Sequence, residues 1–415
     1  MFSIVVHDTS ATPRDFQLLA WGQGLSWLGN TFQPVALAVA IIGAGGSAGE
    51  LGTVMAVAVV GRLVCSLFGG VWADRLPPQH VMVVSDVVRA VAVSGVAVMF
   101  GTGHRSLLLL SALVAVMAGA GAFFFPAMSS LKPILVPVER RQSANATLSL
   151  LQTGSTVVGP AAAGLLVAFA GPPIGFAVNA VTYVVSAVTV ALIRVGAPRP
   201  ERMGMIRELR AGWTEIRRHD WLFIGVVAAG CFHVANGVVL VLVQVVAVRN
   251  LGGATAVGFI SAAQGVGGVI GGIVAMRFRP HRLLLAGFLA LGLIPLWVAS
   301  YVWPGALIGV MAGAVLGFAG TTFFGVAWDT ALQDHIPHHL LARVASWDIL
   351  TSYVGMPVGN ALAGPLADHL GVKPVLLACA PVLLVAGLAP LAARGTRMLT
   401  SATADVADTR AQAIG

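Results

Sequence analysis

Apolar runs long enough to cross a lipid bilayer recur along this 415-residue chain, and they restrict its fold more than any other feature. A helix needs about 20 apolar residues to span the hydrocarbon core. Such runs fall near 17–44, 51–73, 81–101, 106–127, 145–169 and 174–194, and again near 221–248, 255–276, 282–302, 305–328, 345–366 and 373–394. Inside lipid the backbone must satisfy its own hydrogen bonds, so each run is expected to form a helix. The expected organisation is a six-helix bundle over 1–194, a polar linker over 195–220, a second bundle over 221–394 and a tail over 395–415. Composition agrees: only 10% of the residues are charged, against about 25% in an ordinary soluble domain.

Loop charge sets the expected orientation, because Lys and Arg collect on the cytoplasmic side of a membrane. One face carries 19 of the 24 basic residues, the other carries Arg105, Arg249 and Lys373, and Arg62 and Arg89 fall inside spans. Both termini are therefore expected in the cytoplasm. The sequence pI near 10.4 reflects this scatter of short basic loops, so no nucleic-acid partner is expected. Cys65, Cys231 and Cys379 all lie in apolar runs, where cysteine reads as a small core residue rather than half of a disulfide. The leading MFSIVVHDTSATPRDF has no basic region before an apolar core and reads as a short tail rather than a signal peptide.

The two halves repeat. At an offset of 200 residues Phe123, Phe124, Ala127, Pro137, Gly159, Gly164 and Gly171 meet Phe323, Phe324, Ala327, Pro337, Gly359, Gly364 and Gly371. At 202, GGVWADRLPP aligns with GGIVAMRFRP. Duplicated six-helix halves suit a carrier that rocks about a site at the membrane midplane. Only the first copy keeps an acid in this segment, Asp74, where the second has Met276.

The stretch around Asp74 carries a resemblance. Gly70, Ala73, Asp74 and Arg75 resemble the loop between the second and third spans of the major facilitator superfamily, roughly G-x-L-A-D-R-x-G-R-R, although Gln79 and His80 stand where the family has its basic pair. The resemblance implies an all-α membrane protein with twelve transmembrane helices in two pseudo-symmetric six-helix bundles. It also implies a cytoplasmic latch, in which a carboxylate accepts charge-assisted bonds from an arginine or a helix N-terminus. Asp86 and Arg89 lie three apart on one face of the third span and are read as a structural pair of the same cluster, with a direct role in proton or substrate movement as the alternative.

In the fifth span QTGSTVVGPAAAGLL resembles the glycine and proline pattern of antiporters in that superfamily, through Gly154, Gly159, Pro160 and Gly164. Small residues there let helices approach closely, and the proline sets a bend. A wider resemblance, carried by RDFQLLAWGQGLSWLGNTFQPVAL, FFFPAMSSLKPILVP, RRQSANATLSLLQ and LARVASWDIL, is to the branch holding macrolide efflux proteins and the enterobactin exporter. That branch expels hydrophobic metabolites from bacteria on the proton gradient. Where it has an acid in the first span, this chain has Asn30, which cannot carry a proton.

Proton coupling is therefore sought elsewhere. His233 lies near the middle of the seventh span, and histidine titrates near neutral pH. Arg62 falls at the centre of the second span, where a permanent cation needs an acid, carbonyls, water or an anionic ligand. Asp329 and Asp348 bracket the turn between the tenth and eleventh spans, where latch or capping roles are equally open. A substrate cavity is expected between the halves, with Trp27, Asn30, Gln33, Phe124, Gln152, Phe232, His233, Asn236, Gln244, Gln264, Phe324, Trp328 and Tyr353 as candidate wall residues. Apolar walls with sparse polar groups suit a bulky hydrophobic ligand.

No GxxxxGKT phosphate loop occurs, so an ATP-driven pump is not expected. Nor is an enzyme, a metal or a cofactor: the energy source is read as the proton gradient. The reading is a monomeric, proton-coupled exporter of a hydrophobic small molecule in the bacterial inner membrane. The alternatives are a facilitative or uptake carrier, or a lipid-moving facilitator, of the same fold.

Overall fold

The computed structural model describes residues 13–73, 76–137, 140–193, 213–278, 280–302 and 306–399, and among these every regular element is helical. Among the described residues eleven helices are long and apolar enough to cross a membrane. The remaining expected span, the eleventh, lies on His338–Leu370, a 33-residue helix whose first turns carry His338, His339, Arg343 and Asp348. The chain is a multi-pass membrane protein with the twelve spans that the apolar runs require.

Several spans run past the limits read from hydropathy. The fourth is Leu107–Leu135 and the tenth Leu307–His335, each seven or more residues longer at its polar end than 106–127 and 305–328. A helix keeps its own hydrogen bonds on leaving the lipid. Two spans are interrupted, each just before a proline. The first consists of Pro13–Asn30, Phe32–Ala38 and a π turn, Val39–Gly43. Pro34 has no N–H for the carbonyl of Asn30, and Thr31 closes the break by donating both its N–H and its hydroxyl to the Leu28 carbonyl, at 3.1 and 2.6 Å. The ninth divides into Leu283–Leu291 and Ile294–Val302, where Pro295 leaves Leu291 without its donor.

Glycine decides two hairpins. Gly171 joins the fifth span, Arg141–Ala170, to the sixth, Pro172–Ala191, at φ +82°. Gly371 joins His338–Leu370 to the twelfth, Val372–Leu388, at φ +83°. Both donate their N–H to the carbonyl four residues back, at 2.9 Å. This backbone region is open to glycine and costly for other residues, which explains why the repeat preserves both.

Contacts gather the chain into two units, Met1–Leu37 with Val57–Arg202, and Ala38–Ala56 with Met203–Gly415. The sequence reading assigned all of 1–194 to the first bundle, whereas the end of the first span and the start of the second, Ala48–Ala73, group with the second unit. The cause is close approach of small residues: a methyl on Gly52 would lie 2.2 Å from the Asn360 carbonyl oxygen, and one on Gly364 would lie 2.2 Å from Gly49 Cα. Arg249, at the end of the seventh span, Asp220–Asn250, donates to the Gly46 carbonyl at 2.8 Å.

The first unit is cored by Leu19, Met82, Phe124, Met128, Leu131, Leu148 and Val190. Large apolar side chains such as Leu108, Phe169, Ile308 and Val385 point outward, a costly arrangement in water and an unremarkable one in lipid, whose tails are as apolar as leucine. Of the expected linker, Trp213–Ile216 is a helical turn whose buried Glu215 meets Arg218 and His219, each at 3.2 Å.

Candidate functional site

In the first unit the charged pair expected on the third span is buried among helices. The third span, Pro78–Gly101, starts on a proline whose missing N–H costs nothing in the first turn. At its start Gln79 donates through Nε2 to the carbonyls of Val190, Ala191 and Ile193, at 2.8, 3.3 and 2.6 Å. The neutral amide thus caps the carbonyl end of the sixth span, a task to which a basic side chain is also suited. Gln79 stands where the resemblance places a basic residue, and sequence alone does not show this role.

Further along the third span, Asp86 and Arg89 form an ion pair through Oδ1 and Nη2, with Asp86 0% and Arg89 6% exposed. The Arg89 guanidinium carbon sits 4.5 Å from the centre of the Phe124 ring and 4.4 Å from that of Tyr183. Tyr183 donates its hydroxyl to Asn30 Oδ1. Gln23 Nε2 donates to Ser186 Oγ at 3.1 Å, and Ser186 lies within hydrogen-bonding range of the Asp86 carboxyl. The spacing of Asp86 and Arg89 foretold their pairing, while their partners from the first, fourth and sixth spans were not visible in sequence. Asp74 and Arg75 lie outside the described residues. Gly70 lies on the described backbone of the second span.

The glycine motif of the fifth span separates into unlike positions. Gly154 has open space where a side chain would be. A methyl on Gly159 would come 2.1 Å from Thr31 Oγ1, so this glycine admits the break of the first span against the fifth. Pro160 and Gly164 are buried within the same helix. Of the candidate wall residues in this unit, Trp27, Asn30 and Gln33 are half-buried, Gln152 is exposed and Phe124 is packed beneath Arg89. Arg62 is exposed and forms no ion pair with any described residue. An apolar cavity of about 560 Å³ lies among the second, third and fourth spans, lined by residues such as Cys65, Val84, Val88, Val116 and Phe123.

In the second unit His233 is half-buried and bonds through Nδ1 to the carbonyl of Ala229 at 2.7 Å. A carbonyl accepts, so Nδ1 carries the hydrogen. The helix bearing it touches the eleventh span backbone to backbone: a methyl on Gly359 would fall 2.0 Å from the Val234 carbonyl oxygen, and one on Gly237 would fall 2.5 Å from that of Met356. Asn360, absent from the sequence reading, is buried at this crossing with neither amide atom hydrogen-bonded to a described residue. Its only trace in sequence is its place 200 residues after Pro160.

Phe232, Asn236, Gln244, Gln264 and Phe324 are half-buried, and the enclosed Gln244 Oε1 has no partner among the described residues. Trp328, 6% exposed, packs against Trp221 and Phe288 with ring centres 5.7 and 6.2 Å apart, and Phe324 meets Phe288 at 4.9 Å. Those rings are part of an aromatic core. Asp329 is exposed. Asp348 and Tyr353 lie on the backbone of the eleventh span, with side chains outside the described set.

Comparison with known proteins bears on this arrangement. Residues 19–360 match the Major Facilitator Superfamily. The multidrug efflux pump Tap of Mycolicibacterium fortuitum is 27% identical over 382 residues, covering 87% of this chain and 91% of that protein. Macrolide efflux protein A of Streptococcus pyogenes is 25% identical over 329 residues, covering 76% and 80%. Among solved structures, the nucleoside transporter NupG superposes with a TM-score of 0.71 at 10% identity, covering 92% of this chain and 99% of that one. A bacterial homologue of the iron transporter ferroportin gives 0.69 at 18%, covering 91% and 98%. At such identities these structures report the fold alone.

Proposed function

Because the chain belongs to the Major Facilitator Superfamily, and is thus a membrane transporter and not an enzyme, we propose that it is a proton-coupled exporter of a hydrophobic small molecule. The observation that carries the reading is the similarity to a multidrug efflux pump along 87% of the chain. The described residues supply groups that a proton-driven carrier needs. His233 holds one nitrogen on its own helix, in a span where an ionisable group is expensive unless it is used. Half-buried Trp27, Gln33, Phe232, Asn236 and Gln264 offer apolar surface with sparse polar groups, which suits a bulky hydrophobic cargo. The distribution of Lys and Arg supports a bacterial cytoplasmic membrane location with both termini inside. The proton gradient supplies the energy, and a single chain is the working unit.

Everted membrane vesicles test this. With erythromycin as probe, an inside-acid gradient drives accumulation that a protonophore abolishes. A facilitative carrier only equilibrates the probe, and an uptake carrier expels it. Transport of a lysolipid in place of erythromycin marks a lipid facilitator.

A further inference from the structure

We propose that the polar ends of the first, fourth and fifth spans form a binding site for an anionic phosphate group, held by Lys132 and Arg141. The group belongs to the headgroup of an acidic phospholipid or to a phosphate-bearing solute. This site goes beyond the exporter reading and depends neither on the cargo nor on proton coupling.

The first observation is a cavity of mixed character. A pocket of about 210 Å³ opens where the start of the first span, the end of the fourth and the start of the fifth meet. That is about seven times the roughly 30 Å³ share of a liquid water, room for a phosphate group and its ester neighbours. Part of the lining is apolar: Val136, Ala144 and Leu148 belong to the core of the first unit, and Phe16 packs against it. The rest is polar, with Ser129 and Lys132 from the fourth span and Arg141 and Asn145 from the fifth. An even number of crossings separates the start of the first span from the end of the fourth. All three ends therefore lie on one side of the membrane, the side whose loops carry 19 of the 24 basic residues.

The second observation is charge without compensation. Lys132 is half-buried and forms no ion pair with a described residue. Arg141 opens the fifth span, whose first turn carries no acid, although a helix N-terminus favours anions over cations. Its Nε donates to the Val136 carbonyl at 3.4 Å, which tethers the guanidinium at the cavity. From Lys132 to Arg141 the sequence holds three basic residues and one acid, Glu139. Asp15, next to Phe16, does not line the cavity. Two cations sharing one partly enclosed cavity repel each other with little screening, and an anion between them turns that repulsion into attraction.

The side chains suit phosphate in particular. A guanidinium forks onto two phosphate oxygens, and an ammonium adds a point charge. A hydroxyl and an amide, from Ser129 and Asn145, can donate to the remaining oxygens. The apolar part of the lining accepts the glycerol and first methylenes of a lipid. Basic pockets between spans on the cytoplasmic side take acidic headgroups in this way.

Native mass spectrometry of the purified full-length protein, equilibrated with equal amounts of dioleoyl phosphatidylglycerol and dioleoyl phosphatidylcholine, tests the lipid source. Wild type should retain phosphatidylglycerol in preference. Lys132→Gln and Arg141→Gln should each weaken that retention about fivefold, and Lys132→Arg should keep it. Arg140→Gln removes an equal charge from a neighbouring side chain that does not line the cavity, and it should bind as wild type does. If Lys132→Gln does not fold, Arg141→Gln against Arg140→Gln decides. Thermal unfolding in inorganic phosphate against chloride at equal ionic strength tests the solute source: phosphate protection that Lys132→Gln loses, without a lipid preference, assigns the site to a soluble anion. The absence of both lipid preference and phosphate protection, or an equal loss in Arg140→Gln, overturns the proposal.

Discussion

Replacing Arg89 by leucine is the most direct probe of what the buried pair contributes to the first unit. The substitution leaves Asp86, with 0% exposure, as a carboxylate without a cation, and removing one partner of a buried pair costs about 3–5 kcal/mol. The two ring contacts at 4.5 and 4.4 Å are lost with it, each worth about 0.5–2 kcal/mol. Part of that loss is offset by the leucine, which fills apolar space beside Phe124. A net destabilisation of about 3–5 kcal/mol corresponds to a fall of roughly 6–20 °C in melting temperature for a unit of this size. Thermal unfolding of purified protein in detergent, followed by tryptophan fluorescence, reads it. The double variant Asp86→Asn with Arg89→Leu strands no charge and should recover most of the loss, giving a coupling of up to about 3 kcal/mol. If Arg89→Leu melts with wild type, or the two changes are additive, the pair is not a coupled unit and the argument built on its burial is wrong.

Other expectations can be checked alongside. Gly159→Ala should lower stability by about 1–3 kcal/mol, because the new methyl meets a Thr31 hydroxyl already committed to Leu28; Gly154→Ala, with nothing within 4 Å, should melt with wild type. Gly371→Ala forces a side chain into φ +83° and should cost about 1–2 kcal/mol, with Gly171→Ala matching it if the repeat is structural. Gln79→Leu removes the donor to three carbonyls at the end of the sixth span and should increase hydrogen exchange there, with Gln79→Lys restoring protection. His233→Gln should abolish gradient-driven erythromycin accumulation in everted vesicles while downhill movement persists; uphill transport that survives the change places the proton elsewhere.

Much of the architecture is written in the chain itself. Lipid offers no hydrogen bonds, so a run of apolar residues has one backbone solution, and counting runs amounts to counting spans. The repeat was equally open to reading, since Gly171 and Gly371 are held in place by the same backbone demand, φ near +83°. Even the pairing of Asp86 with Arg89 followed from helical spacing. Span ends were less legible, as for His338–Leu370, because a helix continues past the hydrocarbon wherever its own hydrogen bonds suffice.

Tertiary structure alone decided which faces meet. Nothing local distinguishes Gly154 from Gly159, yet one opposes empty space and the other Thr31. Asn360 is an ordinary polar residue in sequence and an enclosed one in the fold. The grouping of Ala38–Ala56 with the second unit depends on Gly49 and Gly52 finding Gly364 and Asn360 some 300 residues away. So does the setting of Asp86, assembled from Gln23, Phe124, Tyr183 and Ser186 on three other spans. Membrane insertion responds to the hydropathy of each segment separately, whereas the chemistry of a buried charge depends on neighbours that only the packing of helix against helix brings to it.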